Sequence, residues 1–213
     1  MPQLMDLKAA DRKIFRAAYD DGLWDIFLGC LISMMVIAPY LSASLGDFWS
    51  SAVFLPFWGL VYLVLRLVRK RLVLPRIGIV RFGPARKSRL MKFTLVMLVV
   101  NLLAFALGIL AAVNFGRVPG QVISIFFGLT LLFGFSLAAF FLEIPRLYLY
   151  GLLLGISPPI GEWLFQQGFA THHGFPITFG VDSAIMILTG LVLLIRLLGK
   201  NPISADEISP NEV

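Results

Sequence analysis

The stretch Arg66–Lys92, RLVRKRLVLPRIGIVRFGPARKSRLMK, decides the fold. Ten of the chain's eighteen Lys and Arg residues fall in it, and no Asp or Glu does. Long uncharged apolar runs lie on both sides of it. A block of such charge is hard to translocate and stays on the cytoplasmic side, so it sets the orientation of a membrane protein.

Working outward, a helix needs about 20 apolar residues to cross the hydrocarbon core. Ile26–Gly46, Phe48–Leu65, Phe93–Gly116 and Val118–Leu142 approach or exceed this without a charged residue. Only Asp47 separates the first two, which predicts a tight hairpin. Pro145–Phe165 reads as a fifth span, and Ser183–Gly199 as a short sixth. With the basic loop inside, alternation places seventeen of the eighteen basic residues on the cytoplasmic side and only Arg117 outside. Both termini are then cytoplasmic, in a multi-pass protein of the cell membrane. Trp24, Trp49 and Trp163 fall near span ends, where amphipathic rings favour the headgroup level.

Composition agrees. Soluble domains are about 45–50% apolar and roughly 25% charged, whereas this chain is 59% apolar and 14% charged. A globule of 213 residues has too little interior to hide that much apolar surface, so lipid is its expected solvent. The basic excess of +6 sits beside apolar segments, which points to anionic lipid headgroups and not to nucleic acid. Phe82 alone in the loop gives no run of aromatics for base stacking. One cysteine, Cys30, excludes an intrachain disulfide.

Residues 1–22 are read as a cytoplasmic amphipathic segment, 23–199 as the six-span domain with its basic loop 66–92, and 200–213 as a polar cytoplasmic tail. In the first, Leu7 to Tyr19 has the pattern of a helix lying on the membrane: Leu7, Ala10, Ile14, Phe15 and Ala18 share one face and Lys8, Arg12 and Arg16 another. In the basic loop, Leu72-Val73-Leu74 and Ile79-Val80-Arg81-Phe82 are strand-like around a Pro75–Gly78 turn. The expected fold is all-α: a six-helix bundle with an interfacial N-terminal helix and a small cytoplasmic β-hairpin between helices two and three.

Three groups of residues carry functional expectations. Arg69, Lys70, Arg71, Arg76, Arg81, Arg86, Lys87 and Arg89 form a basic face for membrane lipid or for a protein partner with an acidic patch. The second group lies around Pro158-Pro159. These prolines cannot donate to the carbonyls of Leu154 and Gly155, which must find other partners inside a bilayer. At about 1.5 Å per residue, Gly155 lies roughly half way across a core of about 30 Å. Asn101, Thr130, Ser157 and Thr189 fall near the same depth. Together they outline a midplane site for an uncharged solute, water or a monovalent cation. No ionisable residue is expected at that depth, which argues against proton coupling.

The third group, Glu162, His172, His173 and Asp182, has the donor types of a divalent metal site without a strong spacing motif. Asp182 reads as the N-cap of the sixth span, and Glu143 and Arg146 as holding the turn before the fifth. Gly151 and Gly155 form a GxxxG pair, and further small-residue stripes (Ala104, Gly108, Ala112; Gly134, Ala138) indicate close helix contacts, within the chain or in a homo-oligomer. No nucleophile with a paired base is evident, so an enzyme using Glu162 and the outer histidines is the weakest reading, and no cofactor is expected. A non-enzymatic module with a lipid-binding basic face leads, and a small channel or carrier protomer follows.

Overall fold

The computed structural model describes residues 21–77, 84–113 and 118–200. Seven α-helices follow one another: α1 (Leu23–Ala52), α2 (Phe54–Val68), α3 (Leu74–Ile77), α4 (Pro84–Val113), α5 (Gly120–Leu142), α6 (Arg146–Gln166) and α7 (Phe175–Lys200). A π-helical turn, Arg69–Val73, joins α2 to α3, and one 3₁₀ turn, His172–Gly174, precedes α7. Among the described residues, five segments are long and apolar enough to cross a membrane: Leu23–Gly46, Phe48–Arg76, Ser88–Leu110, Gly120–Leu142 and His172–Lys200. A further helix, α6, at the place of the expected fifth span, has 21 residues, enough length to span, but its Gly, Ser, Pro and Glu residues keep it outside that set. The helices are those of a multi-pass membrane protein.

The break between the first two spans is at Gly46, whose φ of 76° no helix interior can hold. The hairpin reading of that junction follows from side-chain contacts. The start of α1 runs antiparallel to the end of α2, with Phe27 edge-on to Tyr62 and Arg69 Nε 3.8 Å from Asp21.

The basic loop departs from expectation. No strand occurs among the described residues, and Leu72 to Ile77, expected as strand and turn, is helical. The second expected strand, Ile79–Phe82, lies outside the described residues, as do the N-terminal helix and the tail beyond Lys200. Local β-propensity yields here because a lone hairpin leaves two edges unpaired, whereas continuing α2 satisfies each backbone group within the segment. Pro75 is accommodated by the π turn. Leu74 N–H donates to Arg69 O, five residues back. That wider turn eases the clash a proline ring makes with the carbonyl four residues earlier.

The sixth span is also longer than expected. It begins at Phe175 and not at Ser183, because Pro176 suits the first helical turn, where its missing N–H costs nothing. Asp182 is therefore inside α7 and not its cap.

Two compact units divide the chain: Met1–Leu31 with Val53–Arg81 and Ile185–Val213, and Ile32–Ala52 with Phe82–Ala184. In the first, α1 crosses α7 at two bare backbones. A Cβ on Gly22 would fall 2.2 Å from Gly190 O, so neither residue can carry a side chain there. In the second unit the most extensive helix contact is between α5 and α6. Along α4 the apolar window has no buried residue, and Leu95, Leu98, Leu102, Phe105 and Ile109 all face outward. Such a surface needs hydrocarbon around it.

Arg89, near the start of α4, clamps the far end of α5. Its guanidinium pairs with Glu143, donates to Phe140 O at 2.9 Å and lies over the Phe140 ring. A cation at this helix C-terminus meets the negative end of the dipole. Glu143, in the left-handed conformation that ends α5, therefore reaches α4, beyond the turn it was expected to hold. Arg89→Leu is expected to cost about 1–2 kcal/mol, read as a lower unfolding midpoint in detergent. Arg89→Lys should recover only part of it, lacking the guanidinium fork.

Candidate functional site

Apart from Ser50, the described polar groups that are buried in the second unit gather on α6 and the elements against it. Leu147, Tyr150, Gly151, Leu154, Ser157, Pro158, Gly161 and Glu162 are buried, a stripe spaced by three and four residues. Helical spacing alone puts Ser157 and Glu162 on this inward stripe with the apolar residues.

One flank of α6 meets α5, antiparallel. A Cβ on Gly128 would lie 2.1 Å from Gly155 O, and one on Gly151 would lie 2.9 Å from Phe135 Cβ. The GxxxG pair therefore seats α5. Pro159 leaves Gly155 O without a helical donor, and that oxygen is turned onto the bare backbone of Gly128. One turn on, Gln121 Nε2 donates to Pro159 O at 3.3 Å.

The other flank meets the connector and α7. His172, His173 and Gly174 all have positive φ (50°, 56° and 67°), a conformation costly for the two histidines. Gly174 is forced: a Cβ there would be 2.3 Å from Gly161 O. This turn brings His173 Nδ1 to 2.7 Å from Glu162 Oε2, while Gln166 Nε2 donates to Glu162 Oε1 at 3.1 Å. Glu162 also lies against the start of α5, because a Cβ on Gly120 would be 2.4 Å from Oε1. A carboxylate at a helix N-terminus is favourably placed.

Two turns into α7, Asp182 meets Ser157. The Ser157 hydroxyl donates to Asp182 Oδ2 at 2.5 Å. Asp182 is 3% exposed and Ser157 6%. Among the described residues no Lys, Arg or His lies within ion-pair distance of Asp182. Thr178, four residues earlier on the same face, bonds back to Gly174 O.

Comparison of the chain with protein families, curated proteins and solved structures gives no match. Function has to be read from side-chain chemistry.

The structure redistributes the residues singled out in the sequence. Of the midplane set, Leu154 and Ser157 share the buried stripe of α6, and half-buried Gly155 lies against α5. Asn101 is exposed and Thr130 half-buried, and both bond within their own helices, to Met97 O and Phe126 O. Thr189 belongs to the first unit. Of the metal set, only Glu162 and His173 meet. His172 packs edge-on to Tyr40, Asp182 turns to Ser157, and the described residues hold no group of three or more metal-ligating side chains.

Of the basic set, Arg69 faces Asp21, Arg76 donates to its own Leu72 O, and Arg89 clamps α5. Lys70 and Arg71 are exposed. Arg81 and the side chains of Arg86 and Lys87 lie outside the described residues. Sequence reasoning missed the Ser157–Asp182 pair because it started α7 too late. Pro176 was the available signal: a helix begun beside it carries Asp182 about 10 Å inward.

Proposed function

We propose that this protein is a channel or carrier protomer for a proton or a monovalent cation, with Asp182 and Ser157 as its site beside the Pro158-Pro159 break. One observation carries the reading: a carboxylate inside an apolar helix, 3% exposed, held by a serine hydroxyl and by no basic side chain among the described residues. In such surroundings a carboxylate is neutralised by a proton or by a bound cation, and intramembrane carboxylates mark ion and proton pathways. The expectation that no ionisable group reaches this region falls with the earlier start of α7.

In liposomes holding the purified protein, an imposed gradient is expected to drive uptake of one of these ions. A trapped pH dye reads protons, and sodium- and potassium-selective dyes read the cations. Asp182→Asn keeps the hydrogen bond from Ser157 but cannot ionise, and it should reduce flux to that of empty liposomes. Parent flux of neither ion, or equal flux in Asp182→Asn, would remove the reading.

A second reading, a basic face that holds anionic lipid or an acidic partner on the cytoplasmic side, is supported by exposed Lys70 and Arg71 at the end of α2.

A further inference from the structure

We infer that the first unit carries a binding groove for one anionic phospholipid. This goes beyond the ion-site reading and does not depend on it; it narrows the second reading to one place. Leu23, Trp24 and Phe27 of α1 and Tyr62, Leu65 and Arg66 of α2, with Arg69 just beyond, line a groove of about 110 Å³. That volume is too small for a folded partner's side-chain cluster and takes a short run of methylenes. Its wall is aliphatic and aromatic. Trp24 stands edge-on to Phe27, and Phe27 edge-on to Tyr62.

Charge chooses the occupant. Arg66 and Arg69 stand one turn apart at one end of the groove, where α2 leaves its uncharged run. Asp21 takes part of Arg69's charge, at 3.8 Å from Nε. Arg66 is exposed and makes no ion pair among the described residues. An acyl chain against the aromatic wall with a phosphate at Arg66 and Arg69 satisfies both halves, since guanidinium groups bind phosphate in a fork geometry. Trp24 and Tyr62, each partly exposed, are rings of the kind that settle at headgroup level. A zwitterionic lipid would bring the same chain but no net negative charge.

Trp24 is the reporter. With Trp49, Trp58 and Trp163 replaced by phenylalanine, brominated phosphatidylglycerol is expected to quench Trp24 about fivefold more effectively than brominated phosphatidylcholine. Arg66→Gln should abolish that preference, while Arg66→Lys and a change at exposed Arg196 on α7, outside the groove lining, Arg196→Gln, keep it. Native mass spectrometry of the unaltered chain gives a second readout, in which phosphatidylglycerol is retained as a single adduct over phosphatidylcholine. Equal quenching by the two lipids together with no retained adduct overturns the groove. So does a preference that survives Arg66→Gln, or one lost equally in Arg196→Gln, which would mark a diffuse basic surface instead.

Discussion

Gly128→Val should separate α5 from α6 and cost about 3 kcal/mol or more, the upper range for overpacking a filled interior. The added Cβ would stand 2.1 Å from Gly155 O and 3.3 Å from Pro159 Cδ. Neither obstacle can swing aside. One is backbone, and the other is a ring fixed to the helix. Gly155 O is also the oxygen that Pro159 deprives of a helical donor, so moving the helices apart removes the close approach and leaves a carbonyl bare in hydrocarbon. Gly134→Val is the internal control, since nothing lies within 4 Å of that glycine's missing Cβ. It should unfold within about 0.5 kcal/mol of the parent, as an open surface substitution does. Equal midpoints for the two variants in a detergent unfolding series would mean that α5 and α6 do not meet at Gly128.

The second large effect is a non-additive one at Ser157 and Asp182. Ser157→Ala removes the one hydrogen bond that the Asp182 side chain accepts among the described residues, which should cost about 1–3 kcal/mol, as for a buried acceptor left unsatisfied. Asp182→Leu should cost less, because a serine hydroxyl in a helix can turn to the carbonyl four residues back. Joining Ser157→Ala to Asp182→Leu should restore most of the stability, since an apolar pair replaces a polar one without stranding either partner. The cycle is then expected to show a coupling of about 1.5 kcal/mol or more. A double variant that is stable yet moves no ion would separate the pair's contribution to transport from its contribution to folding. Additive losses would mean that the two side chains act independently.

The residues that could be read in advance are those whose neighbours lie close in sequence. Apolar run length places the spans, Gly46 breaks the first hairpin, and Gly151 with Gly155 marks a helix contact face. Which helix covers that face was not readable, because Gly108, Gly128 and Gly134 are equivalent as text. Only Gly128 has backbone opposite it, and nothing lies within 4 Å of the other two. The basic loop misled for a related reason. Leu72-Val73-Leu74 has strand character locally, but the end of an already formed helix offers those residues a cheaper way to pair their backbone. The candidate site was half visible. Ser157 and the prolines announce themselves within α6, whereas Asp182 becomes their neighbour only once the stretch from Phe175 to Ser183 is known to be helical.

The middle of α4 shows no buried residue, while α6 buries eight. Tolerance to change should divide accordingly. In a saturation library, swaps among leucine, valine, isoleucine and phenylalanine through Leu95–Ile109 should pass almost silently, because acyl chains conform to any such shape. The same swaps at Leu147 and Leu154, on the buried stripe of α6, meet fixed protein on several sides and should be purged, whereas outward-facing Leu149, Leu152, Ile156 and Ile160 should behave like α4. Variation in this protein would thus collect all along one helix and spare a single stripe of another.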